Sequence, residues 1–169
     1  MANYGYFIII MILYISIFLF NYIALKMNKI KTMNRIVHIW LFTITIQIIF
    51  DVIIEFKYHG YWYFDKGVDW HGLPAHLFLI PPVNVMVISW FPFKTNLFKQ
   101  TIYILCWTLV VVFYEWVTIL PEPWGFFHFG WWKLWYDLII VPVLILILVG
   151  FYKWVIKLEL KICNADERA

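Results

Sequence analysis

The sequence is poor in charged residues and in cysteine. Only 14% of its 169 residues are Asp, Glu, Lys or Arg, whereas soluble domains average about 25%. The two cysteines give no disulfide pattern, because Cys106 lies inside an apolar run and Cys163 in the charged tail. There is no HExxH, paired CxxC, GxSxG or phosphate-loop motif, so no common enzyme class is indicated.

Hydrophobic residues make up 64% of the chain and are gathered in five long runs. Each run is close to the roughly 20 residues that a helix needs to cross a bilayer. The first run lacks a basic n-region, so we interpret it as a retained span and not as a secretory signal. We predict an all-α membrane domain over residues 1–169, a bundle of five transmembrane helices. The predicted spans are 5–25, 37–56, 75–93, 101–120 and 136–154.

The distribution of positive charge orients this bundle. Ten of the 13 Lys and Arg flank one end of the runs, and three flank the other end. The ten are Lys26, Lys29, Lys31, Arg35, Lys94, Lys99, Lys153, Lys157, Lys161 and Arg168, and the three are Lys57, Lys66 and Lys133. Because basic loops stay in the cytoplasm, we predict an outer N-terminus and a cytoplasmic C-terminus.

Polar residues are expected to collect in one layer below the outer surface. Asp51 and Glu115 each lie fourteen residues into an outward-running span, which places both about 9 Å below the outer edge of the hydrocarbon. Asp51, Glu55 and His59 are four residues apart, so a continuous helix would place them on one face. The candidate ligand- or cation-binding residues are Asp51, Glu55, His59, Asn84, Glu115 and Asp137. Intramembrane acids serve binding sites or hold helices together, and both readings stay open.

Prolines are expected to free backbone carbonyls in the same layer. Pro81 and Pro82 cannot donate to the carbonyls of Leu77 and Phe78. Pro142 has the same effect further along the chain. Freed carbonyls at membrane depth need donors from neighbouring helices, water or a cation.

Two outer segments, 57–74 and 121–135, are unusually aromatic. We expect the second to lie in the interface or to fold back over the bundle. Its tryptophans and those of the first segment are candidates for ligand contact, although an aromatic belt at headgroup level is the favoured explanation, because belts are general and tryptophan-lined ligand sites are not. These candidates are Trp62, Trp70, Trp124, Trp131, Trp132 and Trp135. His71, His76 and His128 are weak candidates for metal binding.

The function that these patterns favour is an outward-facing acidic and aromatic cavity that binds or conducts a cation or protons. A second hypothesis is an exofacial site for a lipid headgroup or another small organic ligand. A third is an accessory or scaffold subunit of a membrane complex, with homo- or hetero-oligomers as assemblies. An enzyme is the least favoured class, and no cofactor is indicated. The lipid bilayer is an expected partner and nucleic acid is not, because span orientation already explains the dispersed basic residues.

Four motifs carry a resemblance to other sequences. They read Asp51-Val-Ile-Ile-Glu55-Phe-Lys-Tyr58, Lys66-Gly-Val-Asp-Trp70, Tyr114-Glu-Trp116 and Gly130-Trp-Trp-Lys-Leu-Trp-Tyr136. With these motifs the chain resembles an uncharacterised family of small multispan membrane proteins of spore-forming bacteria, from the second span to the fifth. The resemblance implies a multi-pass protein of the bacterial cytoplasmic membrane and transfers no activity or catalytic residue.

Overall fold

Five α-helices account for most of the chain. The computed structural model describes residues 2–67, 70–121 and 124–166, with the backbone alone for 2–6 and 163–166. The helices are α1 Ala2–Lys26, α2 Met33–Asp51, α3 Ile80–Trp90, α4 Leu97–Thr118 and α5 Leu134–Asp166. Arg168 and positions 68–69 of the second motif lie outside the described residues.

Four helical segments are long and apolar enough to cross a membrane. They are Phe7–Lys26, Met33–Lys57, Leu97–Thr118 and Leu134–Ile162. The prediction of a helical protein with several spans is confirmed to this extent. The remaining apolar helix, Ala75–Trp90, is shorter, about 24 Å at 1.5 Å per residue. It ends before the predicted bound because Phe91 is extended (φ −60°, ψ 130°), as expected for a residue that precedes proline.

The outer end of α2 differs from the predicted continuous α-helix. The chain continues from α2 into a π-helical turn, Val52–Lys57, and leaves the helix at Tyr58. His59 follows with a φ of 51°, a left-handed conformation that commonly closes a helix. The prediction that His59 extends the face of Asp51 and Glu55 is therefore wrong, and its side chain is exposed.

The carbonyls freed by the prolines are satisfied by neighbouring helices. Pro81 and Pro82 lie in the first turn of α3, directly after a second π-helical turn, Ala75–Leu79. The indole Nε1 of Trp40 donates to the Leu77 carbonyl at 3.1 Å. The amide Nδ2 of Asn21 donates to the Phe78 carbonyl at 2.7 Å. The prediction that these carbonyls need outside donors is confirmed, and α1 and α2 supply them.

The two aromatic outer segments pair with each other as short strands. β1 (Tyr61–Tyr63) and β2 (Phe127–Phe129) run antiparallel, with Trp62 opposite His128. The all-α prediction missed this two-stranded sheet. One face of the sheet is buried in an aromatic core that also contains Leu13 of α1 and Trp132. The second aromatic segment thus folds back over the bundle, one of the two arrangements expected for it.

A second core lies between the other halves of the helices. It is centred on fully buried side chains of α2, α3 and α5, among them Ile39, Val87, Ile88 and Leu148. At this end of the molecule the guanidinium Nε of Arg35 contacts a carboxylate oxygen of Glu159 at 2.5 Å. The last turns of α5 are thereby tied to the first turn of α2.

The sheet is closed by a contact that leaves no room for side chains. The Gly130 amide donates to the Gly60 carbonyl at 2.8 Å, and the Trp132 amide donates to the same oxygen at 3.0 Å. A Cβ atom on Gly130 would lie 2.2 Å from the carbonyl oxygen of His59. Glycine is therefore required here by the close approach of two backbones.

We expect Gly130→Ala to separate the two outer segments and to lower the free energy of unfolding by about 2 kcal/mol. Thermal unfolding in detergent, followed by tryptophan fluorescence, should then shift down by at least about 4 °C. Gly150→Ala is the matched control, because a Cβ atom there meets nothing within 4 Å. Its Tm should stay unchanged or rise slightly, since alanine favours helix. Equal Tm values for both variants would contradict the close approach.

Candidate functional site

A buried triad of Asp51, Glu55 and His76 lies where the two π-helical turns meet. One ligand atom from each of the three side chains lies within 4.8 Å of the others. The Nδ1 atom of His76 is 2.9 Å from Oδ2 of Asp51. Both carboxylates are buried, with 3% and 4% of their surfaces exposed. Their burial in an otherwise apolar setting makes this triad the strongest candidate for chemistry.

The π-helical turns explain how the triad is assembled. Glu55 belongs to the turn Val52–Lys57 and His76 to the turn Ala75–Leu79. Asp51 is the last residue of α2, directly before the first of these turns. Such turns are rare in proteins and are frequent at functional sites, where they redirect side chains.

Neutral donors hold the Asp51 carboxylate in place. The hydroxyl of Tyr61 donates to Oδ1 at 2.5 Å. The amide Nε2 of Gln47 lies 3.0 Å from both carboxylate oxygens. Hydrogen bonds of this kind fix the orientation of a carboxylate without neutralising its charge.

Two tyrosines of β1, Tyr61 and Tyr63, lie next to the triad. Burial raises the pKa of Tyr61, and the carboxylate of Asp51 raises it further. The pKa of Tyr63 is also raised by burial, and then by the charges of Asp51, Glu55 and Glu115. Both hydroxyls therefore stay protonated at physiological pH, and that of Tyr61 donates to Asp51.

A second acidic group also lies close to Tyr63. The side chains of Glu115 in α4 and Asp137 in α5 are hydrogen-bonded to each other. The indole Nε1 of Trp132 donates to Oδ2 of Asp137 at 2.9 Å. Two carboxyl groups can share a hydrogen bond only if at least one of them is protonated, so this pair holds at least one proton.

The structure thus divides the predicted polar residues into separate places. Asp51 and Glu55 join the triad, and Glu115 and Asp137 form the carboxyl pair. Asn84 belongs to neither, since its Nδ2 atom donates to the hydroxyl of Thr43 at 3.0 Å. This last contact joins α2 to α3 and fits the helix-holding reading of intramembrane polar groups.

Among the candidate histidines, only His76 takes part in the triad. His71 is exposed and lies near the ring of Phe64. His128 is exposed on β2 and stacks on Trp62, with 5.9 Å between the ring centroids. His59 lies outside the triad as well, because α2 and its π-helical turn end before it.

The candidate tryptophans are mostly on the surface. Trp70, Trp124, Trp131 and Trp135 are exposed, as an aromatic belt requires. Trp62 is half-buried, and the Lys66 ammonium lies 4.5 Å from the centre of its ring. Trp132 differs from the rest, because it is buried and bonded to Asp137.

Sequence reasoning missed three residues of the site: Gln47, Tyr61 and Tyr63. Gln47 carried a usable signal, because an amide one turn before Asp51 in an apolar helix can reach its carboxylate. The tyrosines alternate in Tyr-Trp-Tyr, which places both on one face of a strand. Which face meets the acids depends on the pairing with β2.

Comparison with known proteins finds no matching family model, no matching curated protein and no matching solved structure.

We expect Tyr61→Phe to lower the Tm at pH 8, because it removes a donor from a buried carboxylate at a cost of about 2 kcal/mol. The pKa of Tyr61 is raised in the folded state. Its hydroxyl therefore stabilises the protein below the unfolded pKa of about 10, and this contribution is lost as the pH rises further. The Tm difference between the variant and the wild type should narrow above pH 10.

Tyr58→Phe is the control for this measurement, because Tyr58 is exposed beside the same helix end. It should match the wild type throughout. If Tyr61→Phe also melts with the wild type at pH 8, the hydrogen bond to Asp51 does not contribute to stability.

Proposed function

We propose that this chain is a multi-pass membrane protein that binds a divalent cation at the triad of Asp51, Glu55 and His76. The observation that carries the proposal is the convergence of two buried carboxylates and one imidazole within 4.8 Å. Two carboxylates balance the charge of a divalent ion, and imidazole nitrogen is a ligand for zinc and related first-row metals.

The surroundings of the triad support this assignment. A tetrahedral zinc shell with bonds of about 2.05 Å has edges of about 3.4 Å, so binding requires only a small contraction of the triad. Tyr61 and Gln47 already orient the Asp51 carboxylate, as outer-sphere donors do at metal centres. The turn that carries His76 is held in place by neighbouring helices. Asn21 of α1 and Trp40 of α2 donate hydrogen bonds to its backbone carbonyls.

The cation experiment uses purified protein in maltoside detergent, stripped with a chelator and titrated with Zn²⁺ and with Mn²⁺ by calorimetry. We expect one equivalent of metal per chain. Asp51→Asn and His76→Gln should each weaken binding by at least about tenfold, since even the loss of an outer-sphere partner costs 10–100-fold. Thermal unfolding checks that each variant is folded. If Asp51→Asn does not fold, the affinity of His76→Gln for the metal tests the site alone.

His128→Gln is the matched control, because it removes an exposed histidine of the same outer region. It should bind metal as the wild type does. Absence of stoichiometric binding of either ion, or equal affinity in the wild type and His76→Gln, would falsify the cation site.

For the membrane topology we propose five spans, with the N-terminus and the triad on the outer side of a bacterial cytoplasmic membrane. The support is the excess of Lys and Arg at one end of the helices. The helix Ala75–Trp90 then crosses the bilayer despite its length, because the sheet covers its outer end and the extended Phe91–Pro92 segment continues beyond the other end. Resemblance to proteins of spore-forming bacteria supports the choice of membrane.

Labelling with a membrane-impermeant maleimide tests this topology. Cys106→Ser and Cys163→Ser give a cysteine-free background, and Lys66→Cys or Lys94→Cys then adds one thiol on either side of the helix Ala75–Trp90. We expect labelling at position 66 in intact cells and at position 94 only after lysis. Labelling of both positions in intact cells would show that this helix turns back without crossing.

A further inference from the structure

An elongated cavity of about 450 Å³ lies inside the helix bundle. All five helices contribute to its wall, together with the inner face of the sheet. It is separate from the triad, because neither carboxylate of the triad nor His76 lines it. Its volume is within the range of small-molecule sites, which is about 300–1,000 Å³.

The cavity exists because α4 is held away from α1 and α3. Along its length α4 packs chiefly on α5. Its ring contacts across the bundle are made at separate levels: Tyr114 against Phe20 of α1 at 5.5 Å, Trp107 against Trp90 of α3 at 5.8 Å, and Tyr103 against Phe91 at 5.5 Å. These aromatic pairs act as spacers, so smaller side chains between them do not close the gap.

The two ends of the cavity differ in chemistry. At one end lie the hydrogen-bonded carboxyl groups of Glu115 and Asp137, beside the ring of Trp132. The rest of the wall is mainly aliphatic and aromatic, and on α5 it extends to Leu148. It also contains a few uncharged polar side chains: Thr43, Gln47, Asn84 and Thr118. Eleven residues of helix separate Asp137 from Leu148, which gives a length of about 16 Å.

The polar end of the cavity is acidic and has no basic partner in the cavity wall. The carboxyl groups of Glu115 and Asp137 share at least one proton, and their remaining oxygen lone pairs are acceptors for a ligand. Among the lining residues that the structure describes there is no Lys, Arg or His. A ligand that fits this wall therefore carries a positive headgroup and a narrow apolar body.

From this geometry we infer that the cavity binds a single-chain amphiphile with an ammonium headgroup. The ammonium lies between the carboxyl groups of Glu115 and Asp137, within reach of the Trp132 ring for a cation–π contact. The chain extends along α4 and α5 toward Leu148. A volume of 450 Å³ is at the lower end of the range for drug-sized ligands, which favours one chain over a two-chain lipid.

The experiment measures equilibrium binding of radiolabelled dodecylamine to the intact protein in neutral maltoside detergent. Dodecanol and dodecanoic acid serve as competitors with the same chain and a neutral or negative headgroup. We expect saturable binding of one dodecylamine per chain, displaced at least tenfold less effectively by either competitor. Equal competition by dodecanol would overturn the inference, because the carboxyl pair would then contribute nothing.

Variants separate the headgroup site from the chain site. The double variant Glu115→Gln with Asp137→Asn should weaken dodecylamine binding by at least tenfold. Asp65→Asn is the control, because it neutralises an exposed acid outside the cavity, and it should leave binding unchanged. Val111→Trp fills the cavity from α4, because Val111 is half-buried in its wall, and should weaken binding with both carboxyl groups intact. Unchanged affinity in the carboxyl variant or in a folded Val111→Trp protein contradicts the site.

The same proteins keep this result distinct from the metal site. His76→Gln should lose zinc affinity and bind dodecylamine normally, because His76 does not line the cavity. The carboxyl double variant should lose dodecylamine affinity and bind zinc normally. Failure of one site in the wild type therefore leaves the test of the other unaffected.

Discussion

A carboxylate buried at the end of an apolar helix needs hydrogen-bond donors, and the half of the molecule that contains the sheet depends on how those donors reach Asp51. An unpaired buried charge costs several kcal/mol of folding free energy. A domain of this size can tolerate a loss of that size at few positions. The donors are Gln47 one turn earlier and Tyr61 on β1, and the imidazole of His76 before α3 lies 2.9 Å from the same carboxylate. The contacts that the Asp51 side chain makes therefore hold β1 and the start of the helix Ala75–Trp90 against α2.

The sheet gives two acidic groups different surroundings. Asp51 and Glu55 lie with His76 at the π-helical turns and do not line the cavity. Glu115 and Asp137 line the cavity. Tyr63 is close enough to both groups for its pKa to respond to each. Because the Tyr63 hydroxyl remains protonated, this side chain adds no negative charge near the two acidic groups.

The sequence predicts what depends on local chemistry, namely apolar run length, the depth of the acids and the carbonyls freed by Pro81 and Pro82. It does not predict the direction in which a side chain points around the bundle, because that angle depends on which helices pack together. Asp51 and Glu115 thus share a predicted depth but lie in different groups. The partners Trp40 and Asn21 were unpredictable for the same reason. Strands of three residues are too short to show a reliable period.

The fifth helix is fastened near both of its ends, by the indole of Trp132 on Asp137 and by the guanidinium of Arg35 on Glu159. Between these ties Pro142 removes the donor that the carbonyl of Leu138 would otherwise have. Helices bend most readily at such a position. Pro142 is therefore the position at which α5 can bend with the least loss of backbone hydrogen bonding, between the acidic turn at Asp137 and the longer remainder of the helix.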